Sequence, residues 1–126
     1  MQFDTSDLPG MMADGSFYGL VLHEIAHVLG LGTTWVDKLL VQGLGTSNPL
    51  YVGPSGLREY VALTAAAATG VPVENVGGTG TVGSHWRESV FQFEMLTGFA
   101  ETSGIDQRLS RLTIAALEDL GYAVFY

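Results

Sequence analysis

The most sharply patterned stretch of the chain is an apolar run of Leu20, Val21, Leu22, Ile25, Ala26, Val28 and Leu29, interrupted by His23, Glu24 and His27 and closed by Gly30. This spacing predicts a helix from about 16 to 29, with Asp14 or Ser16 as its N-terminal cap and Gly30 as the left-handed residue that ends it. A second helix is predicted over 55–69. Ser55 caps it, Leu57, Tyr60, Val61, Thr64, Ala65 and Ala68 form its packing face, and Gly70 ends it. A third follows a Ser110 cap and stops at Gly121, with Leu112, Ile114, Ala116, Leu117 and Leu120 facing the core. Residues 1–14, with Pro9 and Gly10 among three aspartates, read as loop or short turn. Residues 31–54 read mostly as loop, with a 35–41 segment that fits either type. Residues 71–76 read as extended, 77–83 as a flexible glycine loop, 100–110 as polar loop, and 122–126 as a short strand or apolar tail. The fold class that follows is a mainly helical α+β single domain over 1–126.

Composition narrows the partners. Five basic against thirteen acidic residues give a net charge of −8, which argues against nucleic acid or an anionic membrane surface. Charged residues make up 14% of the chain and hydrophobic ones 47%, an apolar balance for a free-standing domain. Some of that surface is therefore expected to lie against another segment or another copy of the chain. The sequence has no cysteine, so disulfides and thiolate metal ligands are excluded. No apolar stretch reaches the roughly 18 residues of a membrane span, and no charged, apolar leader opens this chain.

The polar interruptions of the first helix carry the chemistry. At 3.6 residues per turn His23 and His27 lie one turn apart on one face, where both imidazoles can reach one Zn²⁺ at about 2.0–2.1 Å. Glu24 sits beside that face, placed to hold and deprotonate a zinc-bound water. An apolar helix face is a costly place for such groups unless something pairs with them. His85 is the remaining histidine, delivered by the glycine loop within Ser84-His85-Trp86. It completes a three-histidine set that leaves a fourth position open, the catalytic rather than the structural arrangement of zinc. The competing reading has a carboxylate, Asp37, Glu59, Glu74 or Glu88, complete the site and His85 on the surface. The glycine loop lacks the Lys-Ser/Thr ending of a phosphate cradle, and Asp4, Asp7 and Asp14 match no calcium-loop spacing.

Taken together these residues resemble a known group. His23-Glu24-x-x-His27-x-x-Gly30 resembles the metzincin clan of zinc endopeptidases, in which a third histidine usually stands three residues after the glycine; here that residue is Thr33. The leishmanolysin family within that clan instead places its third histidine, after a long insertion, in a Ser-His-Trp motif followed by Glu-Leu-Met-Thr. This chain has Ser84-His85-Trp86 followed by Glu94-Met95-Leu96-Thr97-Gly98, and the stretch from Leu112 to Tyr122 is similar to the family's closing helix. The resemblance covers nearly the whole chain and is nearest to bacterial leishmanolysin-like proteins. It implies a metzincin-like zincin domain with an active-site helix, a middle helix, a C-terminal helix and little β structure. It also implies one Zn²⁺ on His23, His27 and His85, Glu24 as general base, a protein or peptide substrate, and an extracellular location.

Two positions depart from the family pattern. The methionine that the family places under the metal falls on Leu96, with Met95 one place earlier. Only 22 residues precede His23, where the family has an N-terminal sheet subdomain whose edge strand holds substrate. The chain therefore resembles the metal-binding half of such an enzyme, lacking that subdomain. The alternative is a zinc-stabilised, catalytically inactive binding or assembly module, or the same motif acting on a non-peptide bond. Glu24 argues against the inactive module, because a purely structural site has no use for a general base.

Overall fold

The computed structural model describes residues 4–65, 67–99 and 107–126, so most of the predicted polar loop over 100–110 lies outside the described residues. Along the chain run α1 (Leu8–Asp14), α2 (Ser16–Val28), β1 (Val41–Gln42), β2 (Leu50–Tyr51), α3 (Pro54–Thr64), β3 (Val71–Pro72), α4 (Glu88–Phe91) and α5 (Arg111–Asp119). Among the described residues no helix is long and apolar enough to cross a membrane.

Helix α1 replaces the expected N-terminal loop. Pro9 sits in its first turn, where the missing N–H would have had no partner, and Met11, Met12 and Ala13 favour helix. Gly15, at φ 81°, ends α1 and begins α2 directly. Gly15, not Asp14 or Ser16, takes the cap position of α2, without a side-chain cap bond; the Asp14 carboxylate accepts the Ser16 N–H at 2.9 Å from one residue further back.

The end of α2 decides where the site can be built. Gly30 N–H donates to His27 O at 3.0 Å and Leu31 N–H to Ala26 O at 3.0 Å, the paired bonds of a Schellman ending, with Gly30 at φ 103°. The turn throws Leu31 back across the helix end. α5 closes with the same pair of bonds through Gly121 and Tyr122, and the Tyr122 hydroxyl donates to Leu29 O at 3.0 Å, so the two helix ends meet.

The core lies between α5 and a small antiparallel sheet ordered β1-β2-β3, registered Val41 to Tyr51 and Tyr51 to Val71. Pro72, which has no N–H to offer, stands on an edge strand. Trp35, Tyr51 and Trp86 are fully buried, with ring centroids 4.6–5.3 Å apart. Such aromatic pairs contribute about 0.5–1.5 kcal/mol each beyond their buried area. Leu31, Val71, Val73, Leu96 and Leu112 close around them. The Arg87 guanidinium binds the carbonyls of Val73 (3.0 Å) and Pro49 (3.0 Å) and the Asn48 side chain (2.8 Å), tying the chain after His85 to the sheet.

Helix α3 corrects the sequence reading in three respects. It begins at Pro54 with Gly53 in the cap position, and the capping carboxylate comes from α5. Asp119 accepts the N–H groups of Ser55 (2.8 Å) and Gly56 (2.9 Å) and the Tyr51 hydroxyl (2.8 Å). It also stops at Thr64, with Ala65 left-handed at φ 52°, well before Gly70. The helix propensity of Ala67 and Ala68 yields to topology, because Gly70 must pack against Leu50 and Tyr51 to deliver β3 to β2. Finally, of the expected apolar face Tyr60 packs against the core while Leu57 and Val61 are half-buried, and the buried residues are Ser55, Gly56 and Glu59; the Glu59 carboxylate is held by Arg111 (2.9 Å) and Arg58 (3.2 Å). The tail after Gly121 forms no strand.

Candidate metal centre

His23 and His27 project from α2 and His85 from the loop between β3 and α4, and the structure brings all three together. Their Nε2 atoms form a nearly equilateral triangle with edges of 2.9, 3.0 and 3.2 Å. The rings of His23 and His85 lie nearly parallel (16°), and that of His27 stands almost perpendicular to both (82° and 80°).

The far side of each ring fixes its tautomer. His23 Nδ1 lies 2.8 Å from Met95 O, His27 Nδ1 2.9 Å from Leu31 O, and His85 Nδ1 3.1 Å from Thr81 O. A carbonyl oxygen can only accept, so Nδ1 carries the proton in each of these bonds; Ser84 Oγ, 3.0 Å from His85 Nδ1, directs its own proton to Gly80 O (2.9 Å) and can accept there as well. All three Nε2 atoms then present bare lone pairs to one another, an arrangement that is repulsive unless a cation sits among them. Three nitrogens bound tetrahedrally at zinc distance lie about 3.3 Å apart, so the triangle fits a metal of that size after small adjustments. The donor set is nitrogen only and neutral, which suits zinc and other borderline transition ions.

Electrostatics agree with this. Burial is the main force lowering the His23 pKa, with His27 adding to it and the Met95 bond and Glu24 opposing. His85 is pulled down to about 4, again chiefly by burial and against its bond to Thr81. Both are thus kept in the neutral form that a metal requires. Glu24 is half-buried, one residue beyond His23, and makes no hydrogen bond among the described residues.

Two close approaches make the triangle possible. Gly32, at φ 73°, lies so near the other loop that an added Cβ would overlap the Ser84 carbonyl oxygen and stand 3.3 Å from His27 Cε1. Gly98 lies beside the His85 ring, where an added Cβ would overlap the Cγ2 of Thr81, the residue whose carbonyl faces His85 Nδ1. The loop carrying His85 is closed at its base by Glu74, which is fully buried and accepts the N–H groups of Asn75 (2.9 Å), Val76 (3.0 Å) and Glu88 (2.8 Å). Main-chain bonds between Glu74 and His85 (2.9 Å) and between Gly83 and Glu74 (3.0 Å) complete the closure.

None of the four competing carboxylates joins the histidines among the described residues. Asp37 is exposed, Glu59 is taken by two arginines and Glu74 by main-chain amides. Glu88 lines a surface pocket with Glu74, Asn75, Val76, Ser89 and Phe99, a lining that includes none of the three histidines. Thr33 donates to His27 O at 2.9 Å and takes no part in the triangle. Met95 and Leu96 are both buried in the core, and it is the Met95 main chain that touches His23. The aspartates serve local turns: Asp4 accepts from Ser6 twice and Asp14 from Ser16. Nothing in the sequence singles out Leu31, Thr81 and Met95, whose carbonyls hold the rings, or Gly32. Main-chain acceptors leave no trace in residue type.

Two histidines a turn apart on a helix and a third from a distant loop form a group that could hold a metal ion, with a glutamate directly after the first. Comparison with known proteins makes the class specific. The chain belongs to the leishmanolysin family of metallopeptidases, whose sequence pattern matches residues 1–126. It is 36% identical over 112 residues to a leishmanolysin homolog of Crithidia fasciculata, an overlap of 81% of this chain and 16% of that protein. It is 42% identical over 53 residues to a leishmanolysin-like peptidase of Caenorhabditis briggsae, covering 42% of this chain and 8% of the relative. The chain thus spans a small part of the length of the relatives it matches. No solved structure matches it significantly.

Proposed function

We propose that this chain is the metal-binding part of a zinc-dependent endopeptidase with a metzincin-like α+β fold, in which His23, His27 and His85 hold one Zn²⁺ and Glu24 is the general base. The observation that carries the reading is the convergence of three proton-free Nε2 atoms within 3.2 Å of one another beside Glu24. Membership of a metallopeptidase family supports it. A bound zinc ion supplies Lewis acidity toward a peptide carbonyl and lowers the pKa of water toward about 7. The Glu24 carboxylate accepts the proton of the attacking water and returns it to the departing amine nitrogen, so that one group serves as base and then as acid. The main-chain carbonyls of Met95, Leu31 and Thr81 hold the imidazoles in the ligating tautomer throughout.

Two measurements test this. Elemental analysis of the purified chain should give one zinc per molecule, and His85→Ala should release it; full occupancy in that variant would remove His85 from the site. Glu24→Gln should keep metal and fold while lowering peptidase activity of the longer parent protein by about 10²–10⁴-fold or more. Undiminished cleavage of casein by Glu24→Gln would overturn the assignment of the base.

A further inference from the structure

Glu94 lies outside the histidine triangle, yet it is only 6% exposed and gathers four hydrogen bonds. Its Oε1 accepts from Ser110 N–H (3.2 Å), Ser110 Oγ (2.7 Å) and Thr113 Oγ1 (2.5 Å), and its Oε2 from Leu96 N–H (2.5 Å). Burial raises its pKa, against the pull of Thr113, Ser110 and Leu96. A helix cap needs far less than this. Ser110 by itself already caps α5 by accepting the Thr113 N–H at 3.3 Å.

The partners on the other side of this carboxylate lead to two of the three histidines. Leu96 N–H fixes the turn over 94–97, whose Met95 carbonyl receives His23 Nδ1. Thr113 Oγ1, while donating to Glu94, accepts the indole N–H of Trp86 at 2.8 Å, and the main-chain N–H of Trp86 donates to Leu96 O at 3.0 Å. Trp86 directly follows His85. The carboxylate therefore clamps one turn between the acceptor of His23 and the residue that anchors His85. His27 is independent of it, being oriented by Leu31 at the end of its own helix.

We propose that Glu94 is a positioning residue of the metal centre, setting the distance between the His23 and His85 imidazoles through the 94–97 turn. This rests on the three-histidine reading above. An amide cannot replace the carboxylate: with one acceptor oxygen, the side chain introduced by Glu94→Gln would turn its NH₂ either on Leu96 N–H or on the Ser110 and Thr113 donors.

The test is a Zn²⁺ titration of the chain against a chromophoric chelator, with visible spectra of the Co²⁺-loaded form, for wild type, Glu94→Gln and Glu59→Gln. Glu59 is a comparably buried carboxylate bound by arginines and serves as a control for loss of stability alone. Glu94→Gln should bind Zn²⁺ about 10–100-fold more weakly and alter the Co²⁺ spectrum, as loss of a partner behind a ligand typically does, while Glu59→Gln leaves both unchanged. If Glu94→Gln does not fold, Thr113→Val decides, and it should weaken binding in the same direction by removing the hydroxyl that joins Glu94 to Trp86 while leaving the Leu96 bond in place. Wild-type affinity and spectrum in the decisive variant would overturn the positioning role and leave the histidine site standing. A wild-type chain that takes up neither ion would take down both.

Discussion

His85 shows how strongly burial holds a histidine in its neutral form. An unfolded histidine titrates near its ordinary 6.5, whereas burial brings folded His85 to about 4. The unfolded chain therefore binds this proton more readily, so the folded state loses stability as pH falls from about 6.5 toward about 4 and keeps it in full above that window. His23 is shifted in the same direction. Chelator-treated protein should accordingly melt at progressively lower temperature across that window, and His85→Ala should flatten the dependence; a variant as acid-sensitive as wild type would show that another group is responsible. At this scale the sequence is informative where chemistry depends on side-chain type. His23, Glu24 and His27 follow from spacing and His85 from the Ser-His-Trp motif, but the acceptors behind the rings are peptide carbonyls, and the need for Gly32 arises from a loop about fifty positions away.

Helix ends separate what can be read from what cannot. The glycines closing α2 and α5, and the Ser110 cap, are legible because each is a local device whose residues are adjacent in sequence. The cap of α3 is not, since its carboxylate, Asp119, arrives from α5. Asp119→Ala should cost about 0.5–2 kcal/mol for the lost cap and about 1–3 kcal/mol more for the orphaned, buried Tyr51 hydroxyl. Urea unfolding checks this, and a loss under about 0.5 kcal/mol would mean that another group caps the helix. Gly32→Ala carries a different signature. Its Cβ would overlap the Ser84 carbonyl, so the His85 loop must withdraw from α2, and metal affinity should fall by more than the accompanying loss of stability alone would give. Zinc titration beside the unfolding curve distinguishes the two. Helix α1 escapes a reading of the sequence because Pro9-Gly10 signals a turn as readily as a first helical turn.

For the molecule as a whole, the helix that carries His23 and His27 is thinly covered. Of thirteen residues in α2 only Ala26 is buried, and Tyr18 (73% exposed), Ile25, Val28 (75%) and Leu29 leave an apolar stripe facing outward. Low charge and high apolar content point to such a surface without locating it. We expect the isolated chain to self-associate through this stripe, because exposed patches beyond a few hundred Å² seek a partner, and to cleave peptides weakly or not at all. Sedimentation of wild type against Tyr18→Lys/Val28→Lys, with a fluorogenic peptide assay, is the measurement. A monomeric wild type with strong zinc-dependent cleavage would contradict both parts.

The carbonyls behind the histidines have a consequence for how this site can change over generations. Where ligating imidazoles lean on aspartate or glutamate, one base change can delete the support. Here the supports at positions 31, 81 and 95 are parts of the backbone, which every residue type carries. Side chains at those three positions can drift while the acceptors stay in place, as long as the turns that aim them survive. Heritable damage to ligand orientation must therefore enter through the turns themselves, by insertion, deletion, the loss of a glycine or the loss of a side chain that clamps a turn, as Glu94 does, rather than through the side chains at positions 31, 81 and 95.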